Sequence, residues 1–457
     1  MRRFIFFAVL ALSFLIPSLS ASGAESSQLI RAVILCRHGL RSPTQTPEEL
    51  TEWSTRPWPK WNIAPGELTK RGASLLNDEG RLLQKLLAGH GLLTEEKLAA
   101  PGSLFIYADK GSRTRASAEA LLEGLAPDSD TEIVIHSGKG PDPLFHPVRS
   151  GLMTSPAFSA DERLRLSSEL ESIRRKDARE LSFLSALLGP VMESPDVLHF
   201  PKEGSRKKLT LNGGLHTAAS SAEILLLQCL EWPIQSQSLT EETILHTAKD
   251  PSPVEKKTLQ ILNAPAPGNT PSLAEAPLQN SEKPIMVNPR TALELLTVHT
   301  DVQNALQRAP AQALASGLPL LAVMTGILSG TSPLDEANNA ALSLFVGHDT
   351  NIANVAGLLG LHWQNGEFPP DSAPPGSMLF FGLWNTPQGK VVRAAYVRQS
   401  LAALLTTDEN VMEEAALFRV PLSLPGGDGN GETSLEDFTR HVIGLTSESE
   451  TLTETKN

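Results

Sequence analysis

The chain has 457 residues, 40% of them hydrophobic and 20% charged, with a formal net charge of -12. This is enough apolar sequence for a globular protein and more length than one core usually holds, so two domains or one large core with an insertion are expected. The acidic balance argues against nucleic acid as a partner and makes any basic cluster a local exception, suited to a small anion.

Met1-Arg2-Arg3 and the apolar run Phe4 to Ile16 read as a signal peptide, with Ser22-Gly23-Ala24 placed for cleavage near residue 24. The run is short for a membrane span, and no later stretch reads as one, so a periplasmic or secreted protein without a membrane partner is expected. Cys36 and Cys229, on a predicted strand and a predicted helix, read as small buried hydrophobes. Export would make a bridge between them chemically possible, and sequence leaves that open.

Leu29 to Leu35 reads as a buried strand that runs into Cys36-Arg37-His38-Gly39-Leu40-Arg41-Ser42-Pro43. Arg37 and Arg41 flanking His38 repel one another unless an anion sits between them, and each guanidinium matches two phosphate oxygens. Thr44 and Gln45 follow as cleft candidates. Trp53, Trp58 and Trp61 then fall within nine residues, either covering an edge of the core or walling a cleft. Leu68-Thr69-Lys70-Arg71-Gly72 precedes a helix marked by Leu75, Leu76, Leu82, Leu83 and Leu86.

A second strand, Leu104 to Ala108, ends in Asp109 and is followed by Arg113-Thr114-Arg115 at a helix start. That order places a cation and backbone N–H groups near the carboxyl end of a sheet, where open α/β sheets bind ligands. Thr131 to Ile135 reads as a third strand, and Pro141-Asp142-Pro143-Leu144-Phe145-His146-Pro147 as a rigid connection whose His146 could reach the cleft, although a loop histidine without partners is more often structural. From about 150 to 289 the sheet pattern gives way to helices at 160–188 and 215–229. Glu223 lies on the second of these. Residues 233–289, rich in Pro, Ser, Thr, Asn and Glu, read as a long flexible excursion.

Helices resume over 291–328. The strand Leu342 to Val346 then ends in Gly347-His348-Asp349-Thr350-Asn351, again before a helix. Met378 to Trp384 and Val391 to Val397 pair naturally as a hairpin, Gly426 to Gly431 reads as a flexible loop, and 446–457 as a disordered tail.

Arg-His-Gly-Leu-Arg-Ser-Pro at 37–43 resembles the signature of the histidine acid phosphatases, the branch of the histidine phosphatases that includes bacterial periplasmic phytases. The Leu-Thr-x-Arg-Gly segment, Asp109 with Arg113-Thr114-Arg115, the Pro-Asp-Pro-Leu-Phe stretch and Gly-His-Asp-Thr-Asn resemble the same family in the same order. The resemblance covers most of 30–230 and 290–445. It implies an α/β sandwich core, from 25–150 and 290–445, around a mixed, mostly parallel sheet flanked by helices. A mainly α-helical cap at 151–289 is inserted between the two segments.

The resemblance also implies roles. His38 becomes a nucleophile that forms a phosphohistidine, and Asp349 a proton donor to the leaving group. Arg37, Arg41, Arg113, His348 and Thr350 become the phosphate clamp, Asp109 an orienting partner, and Glu223 a residue of the cleft. No cofactor is implied and no metal, and no His/Asp/Glu cluster has metal spacing along the chain. The partner would be a small-molecule phosphate ester and the protein a monomer. Gly347 to Asn351 and Thr44 favour inositol hexakisphosphate. Gln45, where such phytases often carry Lys, and Gly376-Ser377-Met378, where they tend to have Glu, favour a general acid phosphatase or a glucose-1-phosphatase-like enzyme. An exported anion-binding protein without turnover is the reading from a different class.

Overall fold

The computed structural model describes residues 27–54, 56–98, 100–233, 284–406, 417–427 and 431–454. The expected signal peptide at 1–24 and the 234–283 part of the Pro-rich excursion lie outside them.

Strands β1 (Gln28–Arg37), β2 (Leu104–Ala108) and β3 (Ile133–Ile135) come from the first part of the chain, and β4 (Val197–His199) and β5 (Thr210–Asn212) form a separate antiparallel pair. Strands β6 (Leu342–Gly347), β7 (Met378–Thr386), β8 (Gly389–Gln399), β9 (Leu417–Leu422) and β10 (Glu432–Ser434) complete an eight-stranded sheet of order β10-β8-β7-β1-β6-β2-β3, with β9 also on β8. From Ala32 to Arg37 every residue of β1 is buried, as suits a strand covered on both faces. The expected parallel character holds for β1, β6, β2 and β3. The other half is antiparallel, because β7 and β8 are joined by a two-residue turn that leaves no room for a crossover.

Parallel pairing brings the strand ends together. Arg37 lies opposite Gly347, and Ala108 opposite Val346, so the polar segments leaving β1, β2 and β6 emerge on one rim. Helix α1 (Lys70–Gly89) starts where Thr69 Oγ1 accepts from Gly72 N (2.8 Å). It packs against α2 (Ser112–Leu125) through Gly80 and Gly124, and a Cβ on Gly124 would lie 1.8 Å from the Asn77 carbonyl oxygen. Leu76, Leu83, Leu121 and Leu125 of this pair meet Ile34, Ile106 and Leu344 of the sheet.

The chain then leaves the sheet for α3 (Ala160–Lys176), α4 (Ala178–Leu188), α5 (Gly214–Glu231) and α6 (Pro289–Gln307). Leu166, Leu184, Leu215, Ala222, Leu295 and Val298 give these helices a core of their own. Helix α6 falls in the stretch expected to belong to the sheet-bearing core, yet its apolar face is buried among the cap helices. The sheet's other face is covered by α7 (Pro310–Ser329) and α8 (Asp349–Leu359), where Leu320, Ile327, Ile352 and Val355 pack on Val33, Leu35 and Phe345. By length and composition α7 is apolar enough to cross a bilayer, contrary to expectation, and 72% of that stretch is buried in the core.

Helix α9 (Leu435–Glu454) corrects another expectation, since the supposed disordered tail is helical through Glu454. Ser434 Oγ accepts from Asp437 N (3.0 Å) at its start, and Phe438 and Val442 are buried against the sheet. A helix nucleated by packing propagates cheaply into polar sequence. Cys36 and Cys229 are free thiols in separate cores and do not bridge. Burial pushes the Cys229 thiol up to about 12.

Candidate active site

The backbone of the first motif is clamped before any side chain acts. Arg37 N donates to Ser377 O (2.8 Å), His38 N to Gly347 O (2.9 Å) and Gly376 N to His38 O (3.2 Å). Gly39 N donates to Ser117 Oγ (3.0 Å), and a Cβ on Gly39 would lie 2.6 Å from the Leu76 side chain, so the close approach requires glycine. His38 is 2% exposed, and its Nδ1 lies 2.9 Å from the Gly39 carbonyl oxygen. A carbonyl only accepts, so Nδ1 carries the proton and Nε2 keeps its lone pair. Burial, then Arg37, Arg41, His348 and Arg113, push His38 well below the ordinary imidazole range and hold it neutral.

Arginines and carboxylates line one side of His38. Arg37 forms an ion pair with Glu223 and a second with Asp349 (3.1 Å to Oδ2), while Arg41 reaches Glu223 Oε2 at 3.1 Å. Helix α5 thus inserts a cap carboxylate, 13% exposed, between the two guanidiniums of the motif. Burial alone would raise both acids. Arg41, His299 and Arg37 outweigh it at Glu223, and Arg37 chiefly outweighs it at Asp349, so both stay below the usual carboxylate range. A narrow cleft opens beside them, lined by Arg37, Glu223, His299, Asp349, Trp363 and Pro374.

Histidines gather around Asp109 on the other side. His348 Nε2 lies 2.9 Å and His146 Nε2 3.3 Å from the same Asp109 oxygen, Oδ2. Burial would raise Asp109, but bonds from His146 and then His348 hold it well below the usual range. The Nδ1 of His348 faces Arg113 Nη2 at 3.4 Å, and its ring meets His38 edge-on with centroids 5.5 Å apart. Three arginines and His348 therefore surround the free lone pair of His38, a setting for a tetrahedral anion beside a nucleophile, with a carboxyl group next to it.

The family profile described as Histidine phosphatase superfamily (branch 2) matches residues 28–198. Phytase AppA of Escherichia coli is 28% identical over 401 residues, which are 82% of this chain and 82% of that protein. The structure of Hafnia alvei phytase in its apo form superposes with a TM-score of 0.72 and 25% identity, covering 93% of this chain and 98% of the other. Residues 28–198 thus match the histidine phosphatase superfamily, branch 2, and the similarity to phytases extends over most of the chain. Glucose-1-phosphatase of Salmonella typhimurium is a further relative, 23% identical over 425 residues, with 91% and 92% of the two chains covered. These relatives are phosphomonoester hydrolases, and the protein is an enzyme of that class.

Of the family-type residues expected from sequence, His38, Arg37, Arg41, Arg113, His348, Asp349, Asp109 and Glu223 come together at this one rim. Thr350 joins through its backbone, its N–H donating to Asp349 Oδ1 (2.7 Å). Thr44 and Gln45 sit at the mouth. Thr44 Oγ1 donates to Gln45 Oε1 (3.3 Å), and Thr44 and Arg113 both lie beside Gly66. Of the tryptophans, Trp58 packs on the cap core with its Nε1 donating to Leu50 O (2.9 Å), and Trp61 rests on Trp232. These two cover an edge of the core.

Sequence reading set His146 aside as structural and missed His299. His146 is bonded to Asp109, and His299 stands next to Glu223 and Asp349 with Nδ1 3.2 Å from Ala219 O. Each completes a group with donor atoms within 4.8 Å, Asp109-His146-His348 and Glu223-His299-Asp349, although their members are far apart along the chain. Among the described residues these are the metal-type juxtapositions that spacing did not reveal. The second is already neutralised by arginine, and the first is held by its own hydrogen bonds.

Proposed function

We propose that the protein is an exported, phytase-like histidine acid phosphatase that cleaves phosphomonoesters through a phosphohistidine on His38. The observation that carries this reading is the Nδ1 bond of His38 to Gly39 O inside the ring of Arg37, Arg41, Arg113 and His348. It aims a neutral Nε2 lone pair at the position the cations assign to phosphorus. In the first step an N–P bond forms as the ester P–O bond breaks, and the departing alkoxide takes a proton from Asp349. In the second step Asp349 takes a proton from water, the new P–O bond forms and the N–P electron pair returns to Nε2. The cations stabilise charge on the three equatorial oxygens throughout.

Asp349 begins ionised because Arg37 holds it so. A phosphate dianion arriving among Arg37, Arg41 and Arg113 offsets that positive charge, so the affinity of Asp349 for a proton rises as substrate docks. The acid is armed by the substrate's own charge.

Inositol hexakisphosphate is the favoured substrate because Gly347 to Asn351 has the phytase-like form and relatives named as phytases cover most of the chain. One observation favours small esters instead: Gln45, with its amide oxygen bonded to Thr44, adds no charge at the mouth beside Arg113. Initial rates at acidic pH with EDTA on inositol hexakisphosphate, glucose 1-phosphate and p-nitrophenyl phosphate decide between them. Preference for the inositol ester supports the phytase reading, and faster turnover of the small esters supports the second. Stoichiometric phosphate binding without hydrolysis of any ester would overturn both. The proposed export rests on the N-terminal run and is tested by fractionating cells for the mature form.

A further inference from the structure

His146, like His299, is a site histidine that the mechanism above does not use. It sits on the connection between β3 and the cap, and that connection is rigid. His146 N donates to Asp142 O (2.8 Å), Leu144 N to Asp142 Oδ1 (2.8 Å) and Tyr107 OH to Asp142 Oδ2 (3.0 Å). The connection is also tied to the start of α8, because Asn351 Nδ2 donates to Phe145 O (3.0 Å) while Asn351 Oδ1 accepts from His348 N (2.9 Å). His146 and His348 are therefore carried by one braced unit. Their rings lie 5.3 Å apart with planes 32° from parallel, and both Nε2 atoms point at one oxygen of Asp109. The remaining nitrogen of His146, Nδ1, is buried without a hydrogen-bond partner, so the ring's polar contact here is the one to Asp109.

We infer that His146 is a positioning residue for His348: by sharing Asp109 Oδ2 and packing on the ring, it sets which His348 nitrogen faces the phosphate and how firmly Asp109 holds the other. The inference rests on the phosphohistidine reading for its effect on turnover, and on geometry alone for its effect on His348.

An ionised carboxylate only accepts, so both histidines turn Nε2–H toward Asp109. Neutral His348 then presents a bare Nδ1 to Arg113 and the incoming phosphate, and must gain a second proton before it donates to a phosphate oxygen. Asp109 supports that proton, but its oxygen is divided between two donors. Removing the His146 donor commits the oxygen to His348 and lets His348 hold its second proton to higher pH. The other titratable groups around this pair are Arg113 on α2, His38 at the end of β1, Asp142 on the connection itself and Lys208, which faces Asp109 from the cap. These groups remain in place in the variants.

His146→Phe keeps a ring on His348 and removes the donor, whereas His146→Gln keeps an N–H donor at the Nε2 position and removes the ring. For p-nitrophenyl phosphate the alkaline limb of kcat/KM should move up by about 0.5 to 1 pH unit in His146→Phe, the scale of one net hydrogen bond. It should stay near wild type in His146→Gln. An unmoved limb in folded His146→Phe, or an equal shift in His146→Gln, overturns the inference.

Nitrogen-15 NMR of the histidine-labelled wild-type protein reads the same coupling without any variant or turnover. Neutral His348 protonated on Nε2 is the expected result, and the Nδ1–H tautomer overturns it. Absence of hydrolysis by wild-type protein with the expected tautomer would instead count against the proposed function alone.

Discussion

The two sides of His38 are built from different materials. Toward the cap, Arg37 and Arg41 hold Glu223 and Asp349, and guanidinium charge does not vary over any working pH. Toward β2, Asp109 holds His146 and His348, and an imidazole such as that of His348 does change charge. The first side is a fixed electrostatic frame, and the second is where pH acts on phosphate binding. Another buried acid shows what the paired arginines and histidines do. Glu79 on α1 is 1% exposed and lies behind the motif near Gly376 with no cation paired to it among the described residues, and burial pushes it well above the usual carboxylate range.

The largest expected effect removes the centre that both sides serve. His38→Ala should lower kcat by about 10^4-fold or more on every ester, measured with enzyme checked for folding. Normal turnover by that variant would rule out the phosphohistidine. On the fixed side, Asp349→Asn should slow esters with poor leaving groups by roughly 10^2 to 10^4-fold. The activated ester p-nitrophenyl phosphate should lose less in its first step and leave a phosphoenzyme that acid quenching traps; a variant that accumulates none would remove Asp349 from the second step.

Glu223→Gln is a smaller change with a defined sign. Glu223 raises Asp349, so its loss lets the arginines hold Asp349 lower still. Because the leaving group needs a protonated Asp349, the high-pH limb of kcat should move toward acid, and inorganic phosphate should inhibit about tenfold more tightly at low salt. A limb that moves the other way would break the account of the frame.

Glu79→Gln should leave kcat unchanged and alter stability. A carboxyl raised in the folded state contributes fully below its unfolded value near 4.3, and that contribution is lost as pH rises toward the folded value. The substitution should therefore stabilise by about 1 to 3 kcal/mol at pH 7 and far less at pH 4, read as melting temperatures. The site acids have the opposite sign. Asp109, Glu223 and Asp349 are held low, so their contribution is present above about 4 and is lost only as pH falls through the depressed folded values. An ion cluster of this kind persists at acidic pH, where unpaired carboxylates have already taken up protons.

Much of this arrangement was legible in the sequence because parallel strands turn local motifs into neighbours. Arg37-His38, Asp109 with Arg113, and His348-Asp349 each follow a buried strand, and strand ends in a parallel sheet share one rim. Glu223 was harder, since a lone helix charge becomes a site residue only through the angle at which α5 enters. His146 showed only its place in a rigid connection, and His299 carried no local signal. One is placed by a Pro-rich loop braced on Asp142, the other by a cap helix whose face is set by packing. The helical end of α9 was hidden because its stability lies in Phe438 and Val442 against the sheet, upstream of the polar residues that looked disordered.

The contact of Gly80 with Gly124 has a consequence beyond packing. Two backbones touch there, and the helix that carries Arg113 in its first turn is seated by that touch more than ten residues away from the guanidinium. Adding one methyl group at Gly124 would tilt the whole lever and swing the third arginine out of line with His38. Sites that never meet substrate can thus set the aim of the clamp, and a search for altered activity confined to the cleft would overlook them.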